Sequence, residues 1–337
     1  LEQPVYGATN VTWILPLPGT PVASYPAEDF TLRRYVMGWW LNEALHDPGI
    51  SHKMTLFFHQ FMAVAISASN NQHYFDYLSL MRWGALGNFK KLATKLVTDN
   101  AMLRYLNNTQ NTRNNPNENF AREFFELFTI GKGPQIGPGD YTNYTEDDIV
   151  EAAKVLTGFR IRPNRDEVDT ETGIPRGGVN PAQHATGNKT FSAHFQGTVI
   201  AGEANPTING MWAELGAFVD MIFAQPETAK NLCRRLYRYF VNRNVTDEIE
   251  NDIIGPLSST LISNNYEIKP VLEQLLQSEH FFDVDDSDNT DEIIGGIIKS
   301  PLDLTLQALS FFDVAIPDPM TQNTAHYLLF YSAALLE

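Results

Sequence analysis

Apolar residues recur at helical spacing along most of this chain. From Asp29 to Asp47, Phe30, Tyr35, Trp39, Leu41 and Leu45 alternate with charged positions, which predicts an amphipathic helix ended by Pro48-Gly49. Met54 to Ile66 is apolar nearly all round except for Thr55, His59 and Gln60, so a buried helix is expected there with Ser51 as its N-cap. Further helices are expected over 73–86, 88–99, 116–130 and 145–158, and again over 211–224, 226–242, 246–263, 269–277, 300–312 and 321–336.

Two stretches break the pattern. Residues 1–28 carry Pro4, Pro16, Pro18, Pro21 and Pro26, each of which removes a backbone donor, and they read as an extended arm. Between 160 and 210 Gly, Pro, Asn and Thr dominate, which predicts a long irregular excursion with a short β-hairpin around Thr190 to Ala201. The expected fold is therefore mainly α: a multi-helix globular array, with helical halves 29–159 and 211–337 in one domain on either side of the excursion.

Composition narrows the class. With 337 residues and 43% apolar side chains, the chain has enough material for a sizeable core. Asp and Glu outnumber Lys and Arg by 40 to 24, and the resulting field repels phosphate backbones, so nucleic acid is not an expected partner. Cys233 is the single cysteine, which excludes an internal disulfide and a multi-cysteine metal site. Its apolar neighbours suggest a packed thiol, not a nucleophile. No apolar run reaches the roughly 18 residues of a membrane span. The start at Leu1 and the stop within an apolar run suggest a processed form or fragment, with the C-terminal half truncated.

The richest chemistry lies in Asn107 to Pro116 and the following run NENFAREFFELFTIGKG over 117–133. Asn115 is the expected cap and Pro116 the first helical residue. On an α-helix Asn119, Glu123 and Glu126 fall within a stripe about 60° wide, with Arg122 beside it. Phe120, Phe124, Leu127 and Phe128 form the adjoining face and Phe125 the far side, so the acids are expected to be partly sheltered. The stripe admits two chemistries. Glu123 and Glu126 suit a hard cation such as Ca²⁺, Mg²⁺ or Mn²⁺, or a general acid/base pair, with Asn117, Asn119 and Arg122 as accompanying ligand-binding groups. Equally, Glu118, Arg122 and Glu126 are spaced for an internal ion-pair network.

Histidines supply the remaining candidates. His52, Thr55 and His59 share one helix face; His59 is either a core histidine bonded to a carbonyl or carboxylate, or a third catalytic group facing Glu123 or Glu126 from another helix. His184 and His194 lie in the excursion, where His184 is either a ligand-binding group on a lid or a solvated loop residue. The acidic cluster from Asp283 to Glu292 fails the calcium-loop template, having Asp288 where glycine is needed and Ile294 at the closing position. No nucleophile elbow, zinc-protease, phosphate-loop or dinucleotide motif occurs.

The run Asn111 to Gly133, then Tyr144-Thr145-Glu146-Asp147-Asp148-Ile149 and Ala152 to Phe159, resembles the domain of unknown function 1800 family. Lys53 to His59, Ala101 to Leu106, His184 to Phe191 and Pro226 to Val241 extend the likeness over nearly the whole chain. The resemblance implies a bacterial, mostly helical, exported protein, periplasmic, cell-surface or extracellular, often encoded beside a member of the domain of unknown function 1501 family. It implies no established reaction. Members of the family carry a second histidine two places after the one matching His59, where this chain has Phe61. They also continue into a Gly-Gln segment and a Pro-Pro-Asn-Val-x-Gly-Trp motif beyond the end of this sequence.

Two functional expectations result. One is an exported helical protein with a divalent-cation site on the Asn119, Glu123 and Glu126 stripe, acting hydrolytically. The other is a non-catalytic surface or assembly module in which the same stripe locks helices, with a protein of the 1501 family as its partner.

Overall fold

In a computed structural model that describes residues 5–6, 11–12, 29–65, 70–282 and 297–314, Asp47 marks where the first helix hands over to the second. Helix α1 (Asp29–His46) stops before it, and its carboxylate accepts the backbone N–H groups of Gly49 and His52 at 2.9 and 2.8 Å. These are orphan donors at the start of α2 (Ser51–Phe61). Asp47 thus does the capping expected of Ser51; the N-cap position itself is Ile50, without a side-chain bond. Helix α2 ends at Phe61, five residues short of the expected limit.

The chain divides into two units. The first collects described residues up to Ala85, the segment Arg162–Arg176 and residues from Ile298 onward. It holds α1, α2, α3 (Asn71–Gly84) and a late helix, Pro301–Phe311. Trp39 packs on Phe75 with ring centroids 4.8 Å apart, and Phe57, Phe58 and Phe61 form an edge-to-face cluster on α2. Helix α3 is buried from Asn71 through Met81, including Asp76. The segment Arg162–Arg176 doubles back on itself: Asp169 N–H donates to Ile174 O at 3.0 Å and Arg176 N–H to Glu167 O at 2.8 Å.

The second unit comprises Leu86–Ile161 and Gly177–Ile297. In chain order it carries α4 (Phe89–Leu96), α5 (Asn100–Tyr105), α6 (Glu118–Glu123), α7 (Glu146–Val155), α8 (Ile208–Phe223) and α9 (Pro226–Phe240). Then come α10 (Asp247–Ile249), α11 (Gly255–Ser263), α12 (Ile268–Leu276) and α13 (Glu279–Phe282), so that Pro301–Phe311 is α14. Its core centres on Phe125, whose ring meets Tyr144, Phe195 and Phe218 at 5.3, 5.6 and 5.7 Å. Each such burial contributes roughly 1.5–3 kcal/mol.

The fold is mainly α, and its sheets among the described residues are antiparallel pairs of two short strands. Val5–Tyr6 pairs with Val11–Thr12 in the N-terminal arm, and Phe159–Arg160 pairs with Gly178–Val179. The expected hairpin is present as Lys189–Thr190 against Val199–Ile200, with Lys189 opposite Ile200. The expected helix over 321–336 and the acidic cluster 283–292 lie outside the described residues. No helix among the described residues is long and apolar enough to cross a membrane.

One departure shapes the region of the candidate site. The uninterrupted α-helix expected over 116–130 begins instead at Glu118, capped by Asn117, and widens into a π-turn over Phe124–Phe128. The turn closes with Gly131 N–H on Phe125 O at 2.8 Å. A wider turn rotates the chain less per residue. Phe124, Phe125 and Phe128 are therefore all buried, whereas Leu127, expected on the apolar face, is 43% exposed.

Candidate functional site

The asparagine-rich approach to α6 is a backbone lock. Asn111 is fully buried; its amide donates to Asn108 Oδ1 and Ala153 O at 3.1 and 2.9 Å, while its oxygen accepts Asn117 N–H at 2.9 Å. Asn117 in turn accepts Asn119 N–H at 3.0 Å, and Asn119 donates its side-chain amide to Leu106 O at 3.2 Å. The amide groups of Asn117 and Asn119 are thus engaged in holding the helix start.

The acids that follow fall into two environments. Arg122 donates to both carboxylate oxygens of Glu146, at 3.0 and 2.7 Å, and to Glu118 at 3.3 Å. Those bonds hold the Glu146 carboxyl below its ordinary range. Glu126 accepts the Tyr144 hydroxyl at 2.6 Å and pairs with Lys132 at 3.0 Å and Arg122 at 3.8 Å. Glu123, by contrast, has no hydrogen bond or ion pair among the described residues. Burial, together with the nearby Glu126 carboxylate, holds it above its ordinary range. Among the described residues no three His, Cys, Asp or Glu side chains are grouped so as to hold a metal ion.

His59 lies in the first unit, whereas Glu123 and Glu126 lie in the second. Its partners are tyrosines. The Tyr77 hydroxyl donates to Met62 O at 2.8 Å, so its oxygen can only accept from His59 Nδ1, also at 2.8 Å. Neutral His59 therefore carries its proton on Nδ1 and turns the Nε2 lone pair toward the Tyr74 hydroxyl at 3.4 Å. Burial among these rings pushes its pKa down to about 4.

His184, expected either on a lid or in solvent, is fully buried. Its Nδ1 donates to Thr157 O at 2.8 Å and its Nε2 lies 3.1 Å from Glu214 Oε2. The same Glu214 oxygen accepts a short hydrogen bond from Lys189, which is also fully buried and donates to Ala185 O at 2.8 Å. Burial alone would raise the Glu214 carboxyl, but His184 and Lys189 together hold it below its ordinary range. The hairpin is thereby pinned to α8. His194, the other histidine of the excursion, pairs with Asp140 at 2.8 Å.

A second buried pair joins Arg165 to Asp76, at 2.7 Å from Nε and 2.9 Å from Nη2. Lys189 stands out in the sequence only as part of the His184 loop, and Glu214, Asp76 and Arg165 are not among the expected site residues. A signal existed for two of them: Asp76 is the one acid of α3 and Glu214 one of two acids in the largely apolar α8, and a buried acid requires a partner. Cys233 is buried, which pushes its thiol up to about 12, consistent with a packing role.

A family model described as protein of unknown function (DUF1800) matches residues 22–331. The chain belongs to the DUF1800 family. No curated protein and no solved structure matches it. The DUF1800 match spans both the asparagine lock with its acid stripe and the His184, Lys189 and Glu214 cluster.

Proposed function

We propose that this DUF1800 chain is an exported, non-catalytic binding and assembly module in which the polar stripe on α6 locks helices together. The observation that carries this reading is the crowding of Glu126 Oε1: a tyrosine hydroxyl, a lysine and an arginine all converge on that one oxygen. Two cationic side chains beside the carboxylate repel a divalent cation, and three partners from separate chain positions suit a structural junction. The experiment is a titration of the purified chain with Ca²⁺, Mg²⁺ and Mn²⁺, read by thermal unfolding and bound-metal content, alongside Glu126→Gln. The expected result is no bound metal, no shift in Tm with any cation, and a lower Tm for the variant. A stoichiometric ion released by Glu126→Gln overturns the reading. The first partner to test is a protein of the DUF1501 family, by co-purification.

A second reading keeps the stripe chemical, and Glu123 favours it. Its carboxyl is raised and lacks a protein partner among the described residues, which suits a general acid or a single-point cation ligand in hydrolysis. Loss of an ion or of a hydrolytic activity in Glu123→Gln, with folding unchanged, would select this reading over the first.

A further inference from the structure

A cavity of about 500 Å³ opens in the first unit between one face of α3 and the doubled-back segment Arg162–Arg176. Phe75, Asp76, Ser79, Arg82 and Trp83 line one side, spaced by three and four residues as one helix face requires. Arg165, Ile174 and Pro175 line the other.

Among the described residues, two polar atoms here lack partners. Ser79 is 8% exposed, and its buried hydroxyl has no hydrogen-bond partner among the described residues. The Nε of Arg82 is buried and equally unpartnered, and Arg82 makes no ion pair among the described residues. Buried polar atoms are satisfied in more than about 90% of cases, so two orphans at one cavity point to a missing partner. The opposite wall is held under backbone strain: Arg165 sits at φ +57°, in the left-handed region, with its guanidinium anchored on Asp76. Such strain concentrates at binding sites.

Charge selects the ligand. Asp76 offsets Arg165, and Arg82 feels the Asp47 carboxylate without forming an ion pair with it among the described residues, which leaves its guanidinium able to hold one monoanion but too little charge for a phosphate dianion. The aromatic and aliphatic walls from Phe75, Trp83, Ile174 and Pro175 suit an apolar body. We infer that this cavity binds a small organic carboxylate, its carboxylate held by Arg82 and the Ser79 hydroxyl and its apolar part lying between Trp83 and the Ile174-Pro175 wall. The inference stands apart from the assembly reading and survives its failure.

The test is calorimetric titration of the full chain with benzoate, benzamide and inorganic phosphate. Benzoate is expected to bind saturably with a Kd of roughly millimolar or tighter. Benzamide and phosphate are expected not to compete. Arg82→Gln should weaken benzoate by about tenfold or more, since a charge-assisted hydrogen bond is lost. Ser79→Ala should weaken benzoate while leaving the ligand-free Tm unchanged or higher, and Lys53→Met, outside the cavity, should change nothing. Should Arg82→Gln fail to fold, Arg82→Lys and Ser79→Ala carry the comparison. Absence of saturable benzoate binding, tighter binding of phosphate, or benzoate affinity indifferent to the Arg82 and Ser79 substitutions overturns the inference.

Discussion

Arg122 grips Glu146 through two nitrogens at once, 3.0 Å from Nη1 to Oε1 and 2.7 Å from Nη2 to Oε2, and so ties α6 to the first turn of α7. A planar fork matched to a carboxylate is a geometry lysine cannot supply. Arg122→Met should lower unfolding stability by about 1 kcal/mol, the upper range for a partly exposed pair, and Arg122→Lys should recover little of it. Because Glu146 titrates below its ordinary value in the fold, its contribution is complete above that value and disappears as pH falls through the folded one. Urea unfolding of the three proteins at neutral and acid pH measures both effects.

His59 is shifted in the same direction as Glu146, by burial instead of ion pairing. Its folded pKa of about 4 lies below the ordinary 6.5, so the unfolded chain binds the extra proton first. Stability linked to His59 is therefore complete above about 6.5 and declines as pH falls toward 4, by up to about 3 kcal/mol. His59→Gln should flatten that part of the stability profile. An unchanged slope in the variant would assign the acid sensitivity elsewhere.

Much of the helical layout was legible because amphipathic periodicity and caps are local. Thr145 and Asp148 form a reciprocal capping box at α7 and Pro226 opens α9, both near the expected boundaries, whereas the short α5 that Asp99 caps was not expected. The π-turn at Phe124–Phe128 was not legible, since it depends on three phenylalanines finding one core. Leu127 accordingly points outward, against its composition. The site was legible as residue types and less so as partners: Glu126 was singled out, but Tyr144 and Lys132 reach it from beyond its own helix. His184 looked like a loop residue because Glu214, the acid that buries it, lies thirty positions away.

The buried trio Lys189, His184 and Glu214 should behave as one unit. Glu214→Leu or Lys189→Met alone leaves a charge without its counterpart in the interior, at a cost of about 3–5 kcal/mol. The double variant Lys189→Met/Glu214→Leu should cost less than the sum of the singles, because no orphaned charge remains on either side. Denaturant unfolding of all four proteins closes the cycle; strict additivity would show that the groups do not couple.

Gly158 tests a backbone requirement inside the family motif. It sits at φ +84°, and a Cβ there would lie 2.7 Å from Asn180 O. Its own N–H and C=O already bind Asn111 O and Asn180 N–H at 3.0 and 2.7 Å. Gly158→Ala should destabilise by more than about 1 kcal/mol, because both the left-handed conformation and the close approach are denied to alanine. A neutral effect on thermal unfolding would mean that the strand pair beside it can move aside.

The first unit takes its residues from both sides of the second in sequence, with Arg162–Arg176 inserted from the middle. During synthesis, residues 86–297 have all left the ribosome before Ile298 emerges, so the unit that begins first in the chain is the last to be completed. Until then the Trp40 side of α1 and Leu56 of α2 wait for α14, exposed to proteases and to chaperones that bind nascent apolar surface. Truncation before Pro301 should therefore be felt at the beginning of the protein, far from the cut.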